Sequence, residues 1–341
     1  MKQLPLKLAG AISRRRLNTA LAAWPLASLV GVPRTAPAAT PVSAPALLRI
    51  GFQKSAVNLV ILKQQGTLEQ RFPDSKVQWV EFPAGPQLLE ALAVGSLEFG
   101  MTGDSPPVFA QAAGKDLLYV GAEPAKPLSS AVLVPAGSPL NTLADLKGKR
   151  VALQKGSSAH YLVVRALEKA GLQWSDIEPA YLTPSEARAA FERGAVDAWG
   201  IWDPFYAAAE LAIQPKVLAT GVGLSNNNSF YLAARPLVER HPQAVQALLD
   251  ALTAADASVQ NQRKESAQLI ADFSGLSLAT VHLFLSRRPV SPVAPLTAAI
   301  TADQQRVADA FFKLALIPRA ITVADIVWPG GRAPGASLAQ R

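Results

Sequence analysis

The chain has 341 residues, 50% of them hydrophobic and only 17% charged, with a formal net charge of +8 and no cysteine. Such a composition excludes a disordered chain and supplies enough apolar side chains for two domains. The missing cysteine excludes disulfides, thiolate metal sites, a cysteine nucleophile and a lipid-modified cysteine anchor.

The positive charge is concentrated at the start. Residues 1–38 carry six of the 33 basic side chains (Lys2, Lys7, Arg14, Arg15, Arg16, Arg34) and no acidic one, so the remainder balances 27 basic against 25 acidic groups. Basic residues, an apolar run from Leu17 to Val32 and then Ala36-Pro37-Ala38 make the pattern of a cleavable signal peptide. The run is too short, and too interrupted by Asn18 and Pro25, for a membrane span. Cleavage is expected after Ala38, leaving a soluble periplasmic monomer. Ser13-Arg14-Arg15-Arg16-Leu17 resembles the twin-arginine export signal with Asn18 in place of leucine, so the Sec and twin-arginine routes both stay open. At a net charge of +2 nothing calls for nucleic acid.

Strands and helices then alternate. Leu47–Phe52 reads as a strand, with Gln53-Lys54-Ser55 leading into a helix through Leu59, Ile61, Leu62 and Leu68. Lys76–Phe82 and Leu97–Met101 read as the next strands, with a helix around Leu88, Leu89 and Leu92 between them, and a parallel sheet is expected. Thr102-Gly103-Asp104-Ser105-Pro106-Pro107 follows. Its prolines suit a first helical turn and Asp104 or Ser105 suits the N-cap. Asp116–Gly121 is another strand, and Glu123-Pro124-Ala125-Lys126-Pro127 is a stiff connector out of the first lobe.

The second lobe centres on Arg150-Val-Ala-Leu-Gln-Lys-Gly-Ser-Ser-Ala-His160, a short buried strand, a glycine turn at Gly156 and a helix capped by Ser157 or Ser158. This junction has two readings. It caps a helix, or its free N–H groups and the two hydroxyls, with His160, hold an anion. The phosphate-loop pattern is absent, because Lys155 precedes the glycine. Val196–Ile201 is a strand that ends at Trp202-Asp203-Pro204, and Gly221–Asn228 is the return crossing to Ser229–Ala234. Trp202 and Trp199, three apart on a strand, face opposite sides, with Trp202 assigned to the cleft and Trp199 to the core. Beyond Arg235 the pattern is helical, broken by Pro289, Pro292 and Pro295.

The expected architecture is α/β: a two-lobed periplasmic-binding-protein type II fold with two crossings. One lobe comprises residues 39–124 and 221–341, the other residues 125–220. Open α/β sheets bind ligands at the carboxyl ends of their strands. The candidate contacts there are Gln53, Thr102, Gly103, Asp104, Gly156, Ser157, Ser158, His160, Trp202 and Asp203. His160, His241 and His282 are scattered without H-E-x-x-H spacing, and G-x-S-x-G is absent. No metal, cofactor or catalytic set is expected.

Val80-Glu-Phe-Pro-Ala-Gly-Pro-Gln87, Thr102-Gly103-Asp104, Phe109–Gly114, Gln154-Lys-Gly-Ser-Ser158, Val196-Asp-Ala-Trp199, Ile201-Trp-Asp-Pro204 and Ser229–Pro236 resemble the aliphatic-sulfonate-binding proteins of ABC importers. The resemblance runs from about Leu48 to Trp328. It implies a two-lobed clamp holding an alkanesulfonate for sulfur acquisition, with an inner-membrane ABC permease as partner and no catalysis. The wider superfamily takes taurine, nitrate, bicarbonate and thiamine precursors, and includes enzymes of the thiamine-pyrimidine synthase and sulfinate desulfinase types, the latter needing a cysteine. This chain departs from the pattern at Ser55-Ala56, where glycine is usual, which narrows the mouth of the expected pocket.

Overall fold

A computed structural model describes residues 42–330. The expected signal peptide and all of the tail beyond Gly330 lie outside the described residues. In chain order, β1 (Leu47–Phe52), α1 (Val57–Gln65), α2 (Thr67–Arg71), β2 (Lys76–Glu81), α3 (Gly85–Ala93), β3 (Phe99–Gly103), α4 (Ser105–Ala112) and β4 (Leu117–Glu123) build the first series. The second consists of β5 (Ser130–Val134), β6 (Arg150–Leu153), α5 (Ser158–Lys169), β7 (Glu178–Tyr181), α6 (Pro184–Glu192), β8 (Ala198–Trp202), α7 (Phe205–Ile213) and β9 (Lys216–Thr220). Then come β10 (Ser229–Ala234), α8 (Arg235–Arg240), α9 (Pro242–Asn261), α10 (Arg263–Ser274), α11 (Leu278–Ser286) and α12 (Ala298–Lys313).

The strands form two five-stranded sheets, ordered β2-β1-β3-β10-β4 and β7-β6-β8-β5-β9. The first sheet is not all parallel as expected: β10 runs antiparallel to β3 and β4. In the second, β5 runs antiparallel to β8 and β9. Both are the first strand reached after a crossing. Ser130 opens β5 opposite Trp202, the last residue of β8, and Ser229 opens β10 opposite Gly103, the last residue of β3. Each crossing therefore joins one carboxyl edge to the other, and the entering strand has no choice but to run backwards. The two carboxyl edges consequently face each other, and the turns that leave them line the space between.

Two local differences have simple causes. The single helix expected through Leu68 is broken at Gly66, whose φ of 61° ends α1 before α2 begins. Strand β3 starts at Phe99 rather than Leu97, because Glu98 turns out to accept hydrogen bonds from the Arg49 backbone N–H (2.6 Å) and Nε (3.1 Å). Thr102 and Gly103 thus end the strand instead of following it.

Fully buried Phe52, Phe72, Phe99 and Tyr231 centre one core, beneath α1, α9 and α10. Trp199 is wholly buried in the second lobe, 5.7 Å from the ring of Phe191. Trp202, on the opposite face, lines the space between the sheets. Helix α11 packs on α7, so the C-terminal helices touch the second lobe directly.

Candidate functional site

Between the carboxyl edges lies a cavity of about 40 Å³, room for about three waters. Of the ten candidate residues, Gln53, Gly103, Ser157, Ser158, Trp202 and Asp203 line it. The Gln53 amide donates to the Met101 carbonyl (3.0 Å) and is fixed against β3. Ser157 occupies the N-cap position of α5 in extended conformation, but its hydroxyl donates to the Gln154 carbonyl (2.8 Å) instead of capping. The Ser158 hydroxyl reaches across the cleft and accepts from the Asp104 backbone N–H (3.2 Å). A Cβ on Gly103 would lie 2.0 Å from that same hydroxyl oxygen. The lobes meet here, and a hydrogen at Gly103 is what lets them.

Four candidates stand off the cavity wall. Thr102 is buried, its hydroxyl turned to the Gly103 carbonyl (3.0 Å). Gly156, at φ 72°, makes the turn beneath α5 and faces the Phe109 ring. The Asp104 carboxylate accepts from the hydroxyls of Ser105 (2.9 Å) and Ser225 (3.4 Å), inside the hinge, and burial raises its pKa. His160 is an aromatic-cluster residue. Its Nδ1 accepts the Gly156 N–H (3.1 Å), its ring packs 4.8 Å from Trp174 and 5.1 Å from Phe311, and burial, reinforced by Lys155, pushes its pKa down to about 3. A permanently neutral imidazole with one nitrogen already used gives no base, and it lies on the face of α5 packed against Phe109 and Phe311, off the cavity wall.

Cleft residues that the sequence reading missed come from the crossings and from the C-terminal helices. Lys126, Ser129, Asn227 and Ser229 flank the hinge, while Phe284 and Arg288 enter from α11 and its end. Lys126 donates to Ser229 Oγ (2.6 Å) and to Glu123 (3.4 Å). Arg288 is held by Asp256 (2.5 Å), Asn58 (3.1 Å) and Glu123 (3.4 Å). Burial alone would raise the Glu123 pKa, but the charges of Arg288 and Lys126 outweigh it and hold the carboxylate ionised. Burial also lowers the Lys126 pKa, against the pull of Glu123. An anion beside Lys126 would favour its charged form. Trp202, Phe284 and Met101 give the same cavity an apolar side.

A second cross-lobe contact closes the far end. Arg287 donates to Asp203 (3.2 Å) and to Glu210, and its guanidinium lies 3.9 Å over the Tyr206 ring. Asp203 accepts the Ala207 N–H (3.0 Å) through the same oxygen, leaving Oδ2 without a partner among the described residues. Burial, only partly offset by Arg287, pushes the Asp203 pKa up to about 7. Among the described residues no group of three or more His, Asp or Glu is placed to hold a metal ion.

Two α/β lobes joined by two crossings, with neutral donors, buried cations and an aromatic wall converging between them, define a two-lobed solute-binding protein. Residues 76–266 match the family described as NMT1/THI5 like. The chain is 48% identical over 313 residues to an aliphatic sulfonates-binding protein of Escherichia coli (strain K12), covering 92% of this chain and 98% of that one. The alkanesulfonate-binding protein SsuA from Xanthomonas axonopodis pv. citri, solved bound to MOPS, superposes with a TM-score of 0.81 at 50% identity, covering 84% of this chain and 99% of that one. The periplasmic SsuA from Escherichia coli gives 0.77 at 49% identity, covering 84% and 98%. The chain belongs to the NMT1/THI5-like family and, within it, to the aliphatic sulfonates-binding proteins. The desulfurization enzyme DSZB shares the fold, with a TM-score of 0.61 at 18% identity and coverage of 83% and 96%.

Proposed function

We propose that this chain is the periplasmic solute-binding component of an ABC importer, taking alkanesulfonates between its lobes for sulfur acquisition and delivering them to an inner-membrane permease. In this reading residues 1–38 are a cleaved export signal, residues 39–124 with 221–341 form one lobe, and residues 125–220 form the other. The mature protein works as a monomer, without catalysis and without nucleic acid. The observation that carries the reading is the convergence on one cavity of Ser157 and Ser158 from α5, Lys126 and Ser229 from the crossings, and the Trp202 and Phe284 rings. A sulfonate is a monoanion at every physiological pH and weakly basic, so it suits several neutral N–H and O–H donors near a buried cation, with an apolar wall for its tail. A cavity of about 40 Å³ is smaller than such a ligand. The lobes must therefore part to admit it and then close on it, which makes binding a shift between open and closed states.

Calorimetry with pentanesulfonate tests the site. Ser158→Ala is expected to lose about 1.5–3 kcal/mol of binding free energy, the worth of a hydrogen bond to a charged group. Unchanged affinity in Ser158→Ala and Ser157→Ala would leave both hydroxyls with their contacts to Asp104 and Gln154 alone and sink the assignment. Gly103→Val probes closure. Its side chain must displace the Ser158 hydroxyl, so the variant is expected to stay folded but bind at least about tenfold more weakly. Small-angle scattering should show the wild-type radius of gyration falling on pentanesulfonate binding and that of Gly103→Val staying larger. Identical curves for free and saturated wild-type protein would rule out the clamp.

A further inference from the structure

A second cavity, larger than the cleft, lies beside it. A groove of about 470 Å³ lies between α5 of one lobe and α12 of the other, floored by the second crossing. Its inner wall is shared with the cleft: Gly103 lines the cleft and Asp104 the groove, Asn227 the cleft and Asn228 the groove. The mechanism above makes no use of it.

Its lining is amphipathic. Val164, Leu167, Leu224 and Val307 form a buried apolar floor, with Trp174 and Leu314 standing half-buried above them. The acidic groups are already engaged. Glu168 pairs with Arg165, Asp303 with Arg306 and with the Asn226 amide (2.7 Å), and Asp309 accepts from Gln305 (2.8 Å). Asp104, at the hinge end, is held by two serine hydroxyls. Among the described residues Lys313 has no acidic partner, and the buried Arg165 Nε has no acceptor. Lys313 and the Arg165 Nε are thus cationic donors left open beside an apolar floor.

We propose that this groove is a second binding site, for a small amphipathic carboxylate whose apolar body lies against Trp174 and Leu314 and whose head meets Lys313 and Arg165. Because α5 and α12 belong to different lobes, the groove keeps this shape only while the lobes keep this arrangement. An occupant that fits it favours the closed state by its differential affinity, and so tightens binding in the cleft. Linkage makes the effect mutual: the cleft ligand tightens the groove ligand by the same factor. The coupling rests on the alkanesulfonate-clamp reading, whereas the existence of the site does not.

The test titrates the exported full-length protein with 2-naphthoate, alone and saturated with pentanesulfonate. Naphthoate is expected to bind both forms, and each ligand to tighten the other by the same factor, roughly fivefold or more. Ala310→Trp fills the groove from α12 and is expected to abolish naphthoate binding while pentanesulfonate still binds. Lys313→Glu, a surface change that leaves folding intact, is expected to weaken naphthoate about tenfold. Competition between the two ligands would place naphthoate in the cleft and overturn the proposal, as would no binding at millimolar concentration or binding indifferent to both substitutions. Independent binding without mutual tightening would overturn the coupling. If pentanesulfonate fails to bind but naphthoate does so and is lost in Ala310→Trp, the groove site stands and the sulfonate reading falls.

Discussion

Arg288→Met is expected to lower the unfolding free energy by about 3–5 kcal/mol, the cost of leaving a buried charge without its partner. Arg288 is only 5% exposed and joins three elements distant in sequence: Asp256 on α9, Glu123 at the end of β4 and Asn58 on α1. Asp256 would keep the Ser291 N–H (2.9 Å) on its second oxygen but lose the one ion pair it makes among the described residues. Glu123 would keep Lys126 and the Tyr231 hydroxyl (2.7 Å) and lose the stronger of its two charge partners. The larger share of the penalty therefore falls on Asp256, and Arg288→Met combined with Asp256→Asn should recover part of the loss. Urea denaturation followed by circular dichroism measures both. A change under about 1 kcal/mol in the single variant would mean that water reaches the cluster and that its charges are screened.

Much of this was legible in the sequence, for local reasons. Ser157 and Ser158 stand beside a glycine turn after a buried strand, and that arrangement could only place them at a carboxyl edge. A strand alternates its faces, which set Trp199 and Trp202 apart as core and cleft candidates; Trp199 is wholly buried and Trp202 lines the cavity. Strand direction was not legible. Nothing in Ala131–Val134 or Phe230–Ala233 says that these strands run backwards, since direction follows from where a crossing enters the sheet. Phe284 and Arg288 were missed for a related reason: Arg288 meets Asn58 across 230 positions of sequence. Two adjacent arginines ahead of Pro289, at the end of an apolar helix, were the only signal, and that pattern more often marks a solvated helix end. His160 was drawn into the site by its nearness to Ser157. Ser158, two positions back on the helix, is the side chain that meets the cleft; side chains two apart on a helix do not share a face, and His160 lies on the face packed against Phe109 and Phe311.

Asp203 is expected to make both stability and ligand affinity fall as pH rises. Its pKa stands near 3.8 in the unfolded chain and at about 7 in the folded protein, so between these values the folded state binds the extra proton. Where the folded state holds more protons, stability falls with rising pH; the fall should run from about pH 4 to about pH 7 and total on the order of a few kcal/mol. Asp203 is 3% exposed, lines the cleft and has an unpartnered Oδ2. Below its pKa that oxygen carries a proton that a sulfonate oxygen can accept; above it, two anions would share a cavity. Pentanesulfonate affinity should then drop by about tenfold per pH unit above pH 7 as the proton is lost. Asp203→Asn cannot ionise, so it should remove the slope in both properties and bind pentanesulfonate at pH 8.5 more tightly than the wild type does. The Arg287 contact works against this outcome, since it favours the carboxylate, but burial outweighs it. Calorimetric titrations of both proteins from pH 5 to pH 9, paired with urea denaturation at each pH, would decide the matter, because an affinity that is flat or rises with pH in the wild type would show Asp203 already ionised against Arg287.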